Sequence, residues 1–138
     1  MTDELRRGLH TLSDFLFIAV FTYAAMTKVI APVDFGVKLL KAHYIPTFLI
    51  PAVTALIPLS EIAAVVFIMF GKFTRLGWEI IYILMICFDV HLAILHLVAP
   101  AAPCSCGGLL ESISFGQHMI FNALLTLIAA VRLVSWKL

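Results

Sequence analysis

The stretch Leu76–Ala99 reads LGWEIIYILMICFDVHLAILHLVA. It holds no Lys or Arg and is long enough for a helix to cross the hydrocarbon core of a bilayer, which takes about 20 residues. Its polar residues are Glu79, Cys87, Asp89, His91 and His96. At helical spacing Cys87 and His91 share one face, and Asp89 and His96 share another. An apolar run of this length with acids and histidines inside it predicts a membrane helix that packs against others, because lone ionisable groups do not face lipid.

The runs on either side repeat the pattern. The basic turn Gly71-Lys-Phe-Thr-Arg75 separates this span from one at about 48–70, which contains Pro51, Pro58 and Glu61. Proline is tolerated in a membrane helix where neighbours satisfy the freed carbonyls. Upstream, a span at about 12–30 carries Thr11 and Asp14 in a capping pattern and Lys28 near its far end. Lys28 reads there as a side chain snorkelling to the interface. Its apolar run is full length and lacks a clear small-x-small cleavage site, so a retained span is expected rather than a cleaved leader. Pro32 ends it. Residues 33–44 then place Val33, Val37, Leu40 and Tyr44 on one helical face and Asp34, Lys38 and Lys41 on the other, as in a short amphipathic interfacial helix. Downstream, Ser114-Phe-Gly-Gln117 forms a capping box. It opens a last span at about 115–136, with His118 and Asn122 one turn apart and Arg132, Trp136 and Lys137 as interfacial anchors.

Composition agrees. Of 138 residues 63% are apolar and 12% charged, against about 45–50% and about 25% in soluble domains. Net charge is +1, which carries no nucleic-acid signal. The reading is an all-α integral membrane four-helix bundle in one domain over 1–138, with the amphipathic helix between its first two spans and lipid as its surroundings. Four spans put both termini on one side, together with Arg6, Arg7, Lys72, Arg75, Arg132 and Lys137. Lys28, Lys38 and Lys41 lie toward the other. The positive-inside rule then places both termini in the cytoplasm. The loop between the last two spans faces outward, toward a periplasm-like compartment where disulfides persist.

That loop is Pro103-Cys104-Ser-Cys106-Gly-Gly108 and holds two of the three cysteines. A disulfide across Cys-x-Cys closes a very small ring that strains its geometry, so the bond is readily reduced. Gly107 and Gly108 allow the tight turn. His96 and His118 fall at the same depth on neighbouring helices and are placed to move protons in thiol exchange. Two other readings use the same residues. The pair is a plain staple or free thiols in a non-enzymatic assembly or docking subunit. Otherwise Cys104, Cys106, His96 and His118, with Met119, form a soft-ligand set for copper or zinc. Cys87, among Met85, Ile86 and Phe88, reads as core. Glu61 and Asp89 both fall near mid-bilayer. There they either share or retain a proton, or each bonds a neighbouring helix.

Four elements together resemble one family: Tyr23-Ala-Ala-Met-Thr-Lys28, Pro58-Leu-Ser-Glu61, the basic turn, and Pro103-Cys-Ser-Cys-Gly-Gly108. They are similar to the MauE/DoxX group of redox-associated membrane proteins over almost the whole chain. Gly107 stands where MauE-like proteins tend to carry an aromatic, and Cys104–Glu111 with Gln117 and His118 is more similar to a Bacteroidota-type branch. The resemblance implies a DoxX-like bundle in periplasmic thiol–disulfide traffic, in which Cys104 and Cys106 exchange disulfides or electrons with a periplasmic partner protein or another membrane subunit. MauE is linked to the maturation of methylamine dehydrogenase, whose periplasmic subunit must form disulfides. The layout is also analogous to DsbB and vitamin K epoxide reductase, which pair a cysteine motif with a quinone. By that analogy a quinone would lie near His96, His118 and Phe115.

Overall fold

A computed structural model describes residues 2–100 and 113–137. Cys104 and Cys106 lie outside the described residues. Helix α1 spans Asp3–Ile30, α2 Pro32–Lys41, α3 Ile50–Met69 after a 3-10 turn at Thr47–Leu49, α4 Thr74–Val98 and α5 Phe115–Ser135. No strand occurs among the described residues. Four of these segments, all but α2, are long and apolar enough to span a bilayer. The fold is the four-helix membrane bundle with a short extra helix after the first span.

The chief packing pairs are α1 with α3, α3 with α4, and α4 with α5, while α2 rests mainly on α3. The shared core is Phe17 and Phe21 from α1, Ala64, Val65 and Ile68 from α3, Trp78, Ile81 and Met85 from α4, and Leu125 and Ala129 from α5. Trp78 is fully buried, with its ring centroid 4.8 Å from that of Phe17. Gly77 lets α3 and α4 close up: a Cβ there would sit 2.9 Å from the Ala64 carbonyl oxygen. Most other apolar side chains point outward. Phe15, Leu97 and Ile120 are exposed, as lipid-facing residues should be.

Several expectations hold closely. The α3–α4 turn runs through Gly71 at φ 67°, a left-handed conformation that suits glycine. The Ser114–Gln117 capping box is present in both directions. Pro51 falls in the first turn of α3, where its missing N–H costs nothing, and Pro58 alone is internal.

Other expectations are corrected or extended. α1 begins nine residues earlier than Leu12, capped by Thr2, whose hydroxyl accepts the Leu5 N–H, with Asp3 and Glu4 favourably in its first turn. Thr11 and Asp14 are therefore interior: Thr11 donates back to the Arg7 carbonyl, and Asp14 is freed for tertiary contacts. α2 keeps the apolar face of Val33, Val37 and Leu40 exposed, as an interfacial helix does, and adds a contact the pattern did not show by burying Phe35 and Leu39. An aromatic ring seats more area against α3 than the valines do. Cys87 is exposed rather than core. Leu84 and Met85 take the buried face of α4, and a helix turns through roughly 200° in the two residues from Met85 to Cys87.

Candidate functional site

Lys28 points into the bundle. Helix side chains lean toward the N-terminus, so a lysine near the C-terminal end of a span reaches back into the membrane rather than out to the near surface. This is a correction to the snorkelling expectation. Lys28 is 4% exposed, and its Nζ donates to the Ala24 carbonyl at 3.1 Å and to Glu61 Oε1 at 2.9 Å. Glu61 is fully buried on α3. The rings of Phe35 and Phe88 lie 5.6 and 5.8 Å from the ammonium. A charge in this setting is tolerated only when it is paired, and the pair joins α1 to α3.

The ion pair sits between two cavities. One, of about 150 Å³ beneath α2, is lined by Lys28, Phe35, Tyr44, Cys87, Phe88 and His91 among others. Tyr44 Oη and His91 Nδ1 are hydrogen-bonded across it, linking the segment after α2 to α4. The second, of about 30 Å³, is lined by Glu61, Phe88 and Asn122. Glu61 Oε2 and Asn122 Nδ2 are both buried and have no hydrogen-bond partner among the described residues. Glu61 and Asn122 thus line one small, otherwise apolar cavity, whose volume exceeds the roughly 10–15 Å³ a water needs.

The two intramembrane carboxylates do not meet. Thr126 Oγ1 lies 2.6 Å from Asp89 Oδ2, tying α4 to α5, and 2.9 Å from the Asn122 carbonyl, and its single proton serves one of the two acceptors at a time. At the end of the bundle carrying the α4–α5 connection, the rings of His96 and Phe115 stack at 5.2 Å with an interplanar angle of 19°. His96 is exposed, whereas His118 is 2% exposed and its Nε2 has no partner among the described residues. Of the predicted redox and soft-metal set, His96 and His118 therefore flank the connection, and Cys104 and Cys106 lie outside the described residues. No group of three or more His, Cys, Asp or Glu side chains is arranged to hold a metal among the described residues.

At the opposite end, Asp14 Oδ1 accepts from Trp78 Nε1 at 2.9 Å and lies 3.4 Å from Arg132 Nη2. Arg132, expected as an interfacial anchor, is instead 8% exposed, with its guanidinium 4.0 Å from the Trp136 ring centroid. Arg6 donates to the Ser135 carbonyl at 2.6 Å, so both termini share this end. The Lys28–Glu61 partnership and the Asp14 cluster were not read from the sequence. A usable signal existed: an intramembrane acid demands a cation at its own depth, and few basic residues lie inside the spans.

These features define a multi-pass helical membrane protein with a buried ion pair on one side of its core and a cysteine-bearing connection at one end. The family model described as Methylamine utilisation protein MauE matches residues 6–135, and the chain belongs to that family. No curated protein and no solved structure matches it.

Proposed function

We propose that the protein is a membrane component of thiol–disulfide traffic that acts through Cys104 and Cys106. The observation that carries this reading is the position of the pair. Two of three cysteines fall in the α4–α5 connection. His96 and His118 flank that connection in sequence, and its two ends are held together by the His96–Phe115 stack. Membership of a family named for methylamine utilisation supports a redox context.

In the reaction, the thiolate of one cysteine attacks a disulfide of a periplasmic partner and releases one partner thiolate. The second cysteine thiolate then attacks the mixed disulfide. The partner leaves as a dithiol, Cys104–Cys106 becomes a disulfide, and two electrons pass with it; the reverse sequence oxidises the partner. His96 and His118 take up and return the thiol protons. The whole chain serves as one four-span domain of a bacterial inner membrane, with cytoplasmic termini. Lys28, Glu61 and Asp89 form its internal polar frame, and Glu61 Oε2 has no hydrogen-bond partner among the described residues.

The test uses the full chain in bacterial membranes with Cys87→Ser as background, so that only the pair can react. Cys104→Ser and Cys106→Ser are alkylated after acid quenching and resolved without reductant. One of the two should capture a partner as a reductant-sensitive adduct. If neither captures a partner and both support full disulfide formation in the cell, the redox reading fails and a docking subunit takes its place.

A further inference from the structure

We propose that the cleft between α1 and α5 is a binding site for an anionic phospholipid, with an acyl chain along its apolar wall and the phosphate held by Arg6 and Arg132. α1 and α5 are not among the chief packing pairs of the bundle. The cleft left between them has a volume of about 440 Å³ and is walled by Leu9, Leu16, Ile128 and Val131. In a chain that crosses the bilayer, such a wall faces acyl chains rather than water.

The terminal end of the cleft has a different character. Arg6 and Arg132 both line it, with His10 between them on the α1 side. Arg132 is more than nine-tenths buried, and its Nε has no hydrogen-bond partner among the described residues. A buried guanidinium with an unused N–H is costly and calls for an acceptor. Arg6 spends one donor on the Ser135 carbonyl, and a guanidinium has five. Asp14 pairs with Arg132 and is shared with the Trp78 indole, while Arg6 makes no ion pair among the described residues. The surplus positive charge at the mouth of an apolar cleft complements a lipid phosphate, which guanidinium groups bind in forked geometry. Basic pockets between membrane helices recognise anionic head groups in the same way.

The purified full chain is delipidated in detergent and offered phosphatidylglycerol and phosphatidylcholine with identical acyl chains, and retention is read by native mass spectrometry. Phosphatidylglycerol should be retained preferentially. Arg6→Gln should cut that preference roughly fivefold, the effect of one arginine near a charged lipid surface. Arg132→Gln also removes the Asp14 pair, so Leu127→Trp provides the independent variant. Leu127 lines the cleft and is 60% exposed, so a larger side chain there fills the cleft without entering the core. It should abolish retention while the thermal midpoint holds. Equal retention of the two lipids, or a preference unchanged in both Arg6→Gln and Leu127→Trp, overturns the assignment. So does a dimer that Leu127→Trp dissolves, since the cleft would then hold a second copy.

Discussion

The Lys28–Glu61 contact puts two full charges, almost unexposed, into the apolar interior of a bundle. Each charge is tolerated because the other is 2.9 Å away, so removing one leaves the other uncompensated. Lys28→Met and Glu61→Leu, made singly, should each destabilise the protein by about 3–5 kcal/mol. The double variant should recover most of that loss, since apolar side chains of similar volume often replace a buried pair at little cost. Thermal unfolding in detergent, followed as loss of the monodisperse peak, measures all three. Two mild single variants would mean that the charges do not depend on each other. Asn122 and His118 present a related case on α5, since each keeps a buried nitrogen without a partner among the described residues. A buried polar nitrogen without a protein partner calls for an explanation, and an ordered water is the simplest one.

At the scale of helices, the α3–α4 contact is set by what is missing from Gly77. With hydrogen as its side chain, the α4 backbone lies against Ala64 and Ile68. A methyl group would meet a backbone oxygen and the Ile68 side chain at 2.9 Å, and a carbonyl on a packed helix cannot move aside. Gly77→Ala should therefore cost about 1–3 kcal/mol, whereas Gly116→Ala on α5, where nothing among the described residues lies within 4 Å, should be neutral. The pair of variants compared by the same unfolding assay separates close approach from a general intolerance of alanine. α2 follows a similar logic in reverse. It closes over the cavity of about 150 Å³ by seating Phe35 and Leu39, and Lys38, largely covered, pairs at 3.1 Å with the exposed Asp34.

Taken as a whole, the molecule is polar at three levels. The Asp14–Trp78–Arg132 cluster lies at the terminal end, the Lys28–Glu61 pair and the Asp89–Thr126 bond lie within, and His96 and His118 lie at the end of the α4–α5 connection. The Arg6–Ser135 bond gathers both chain ends at the first of these. The six basic residues assigned to that end support a cytoplasmic location for it. A membrane-impermeant maleimide added to intact cells after mild reduction should then label Cys104 and Cys106 in the Cys87→Ser background. Labelling that requires opened membranes would invert the topology and remove the periplasmic partner from the mechanism.

Hydropathy and length are local properties, so the four spans, the basic turn, the α5 capping box and the site of the cysteine pair were legible in the residues themselves. Glu61 and Asp89 could be recognised as intramembrane acids for the same reason. Their partners could not, because a partner depends on the depth and rotation at which helices meet. Those are decided by packing: by Gly77 drawing α4 onto α3, by Trp78 seated on Phe17, and by the inward lean that turns Lys28 from an interfacial anchor into a core cation. The same packing left α1 and α5 apart and made the basic-mouthed cleft between them. The sequence by itself determined a four-span membrane bundle whose last connection carries two cysteines. Only the tertiary structure decided which charges face each other inside it, because a charge in an apolar medium is stable only where another element brings its counterpart within bonding distance.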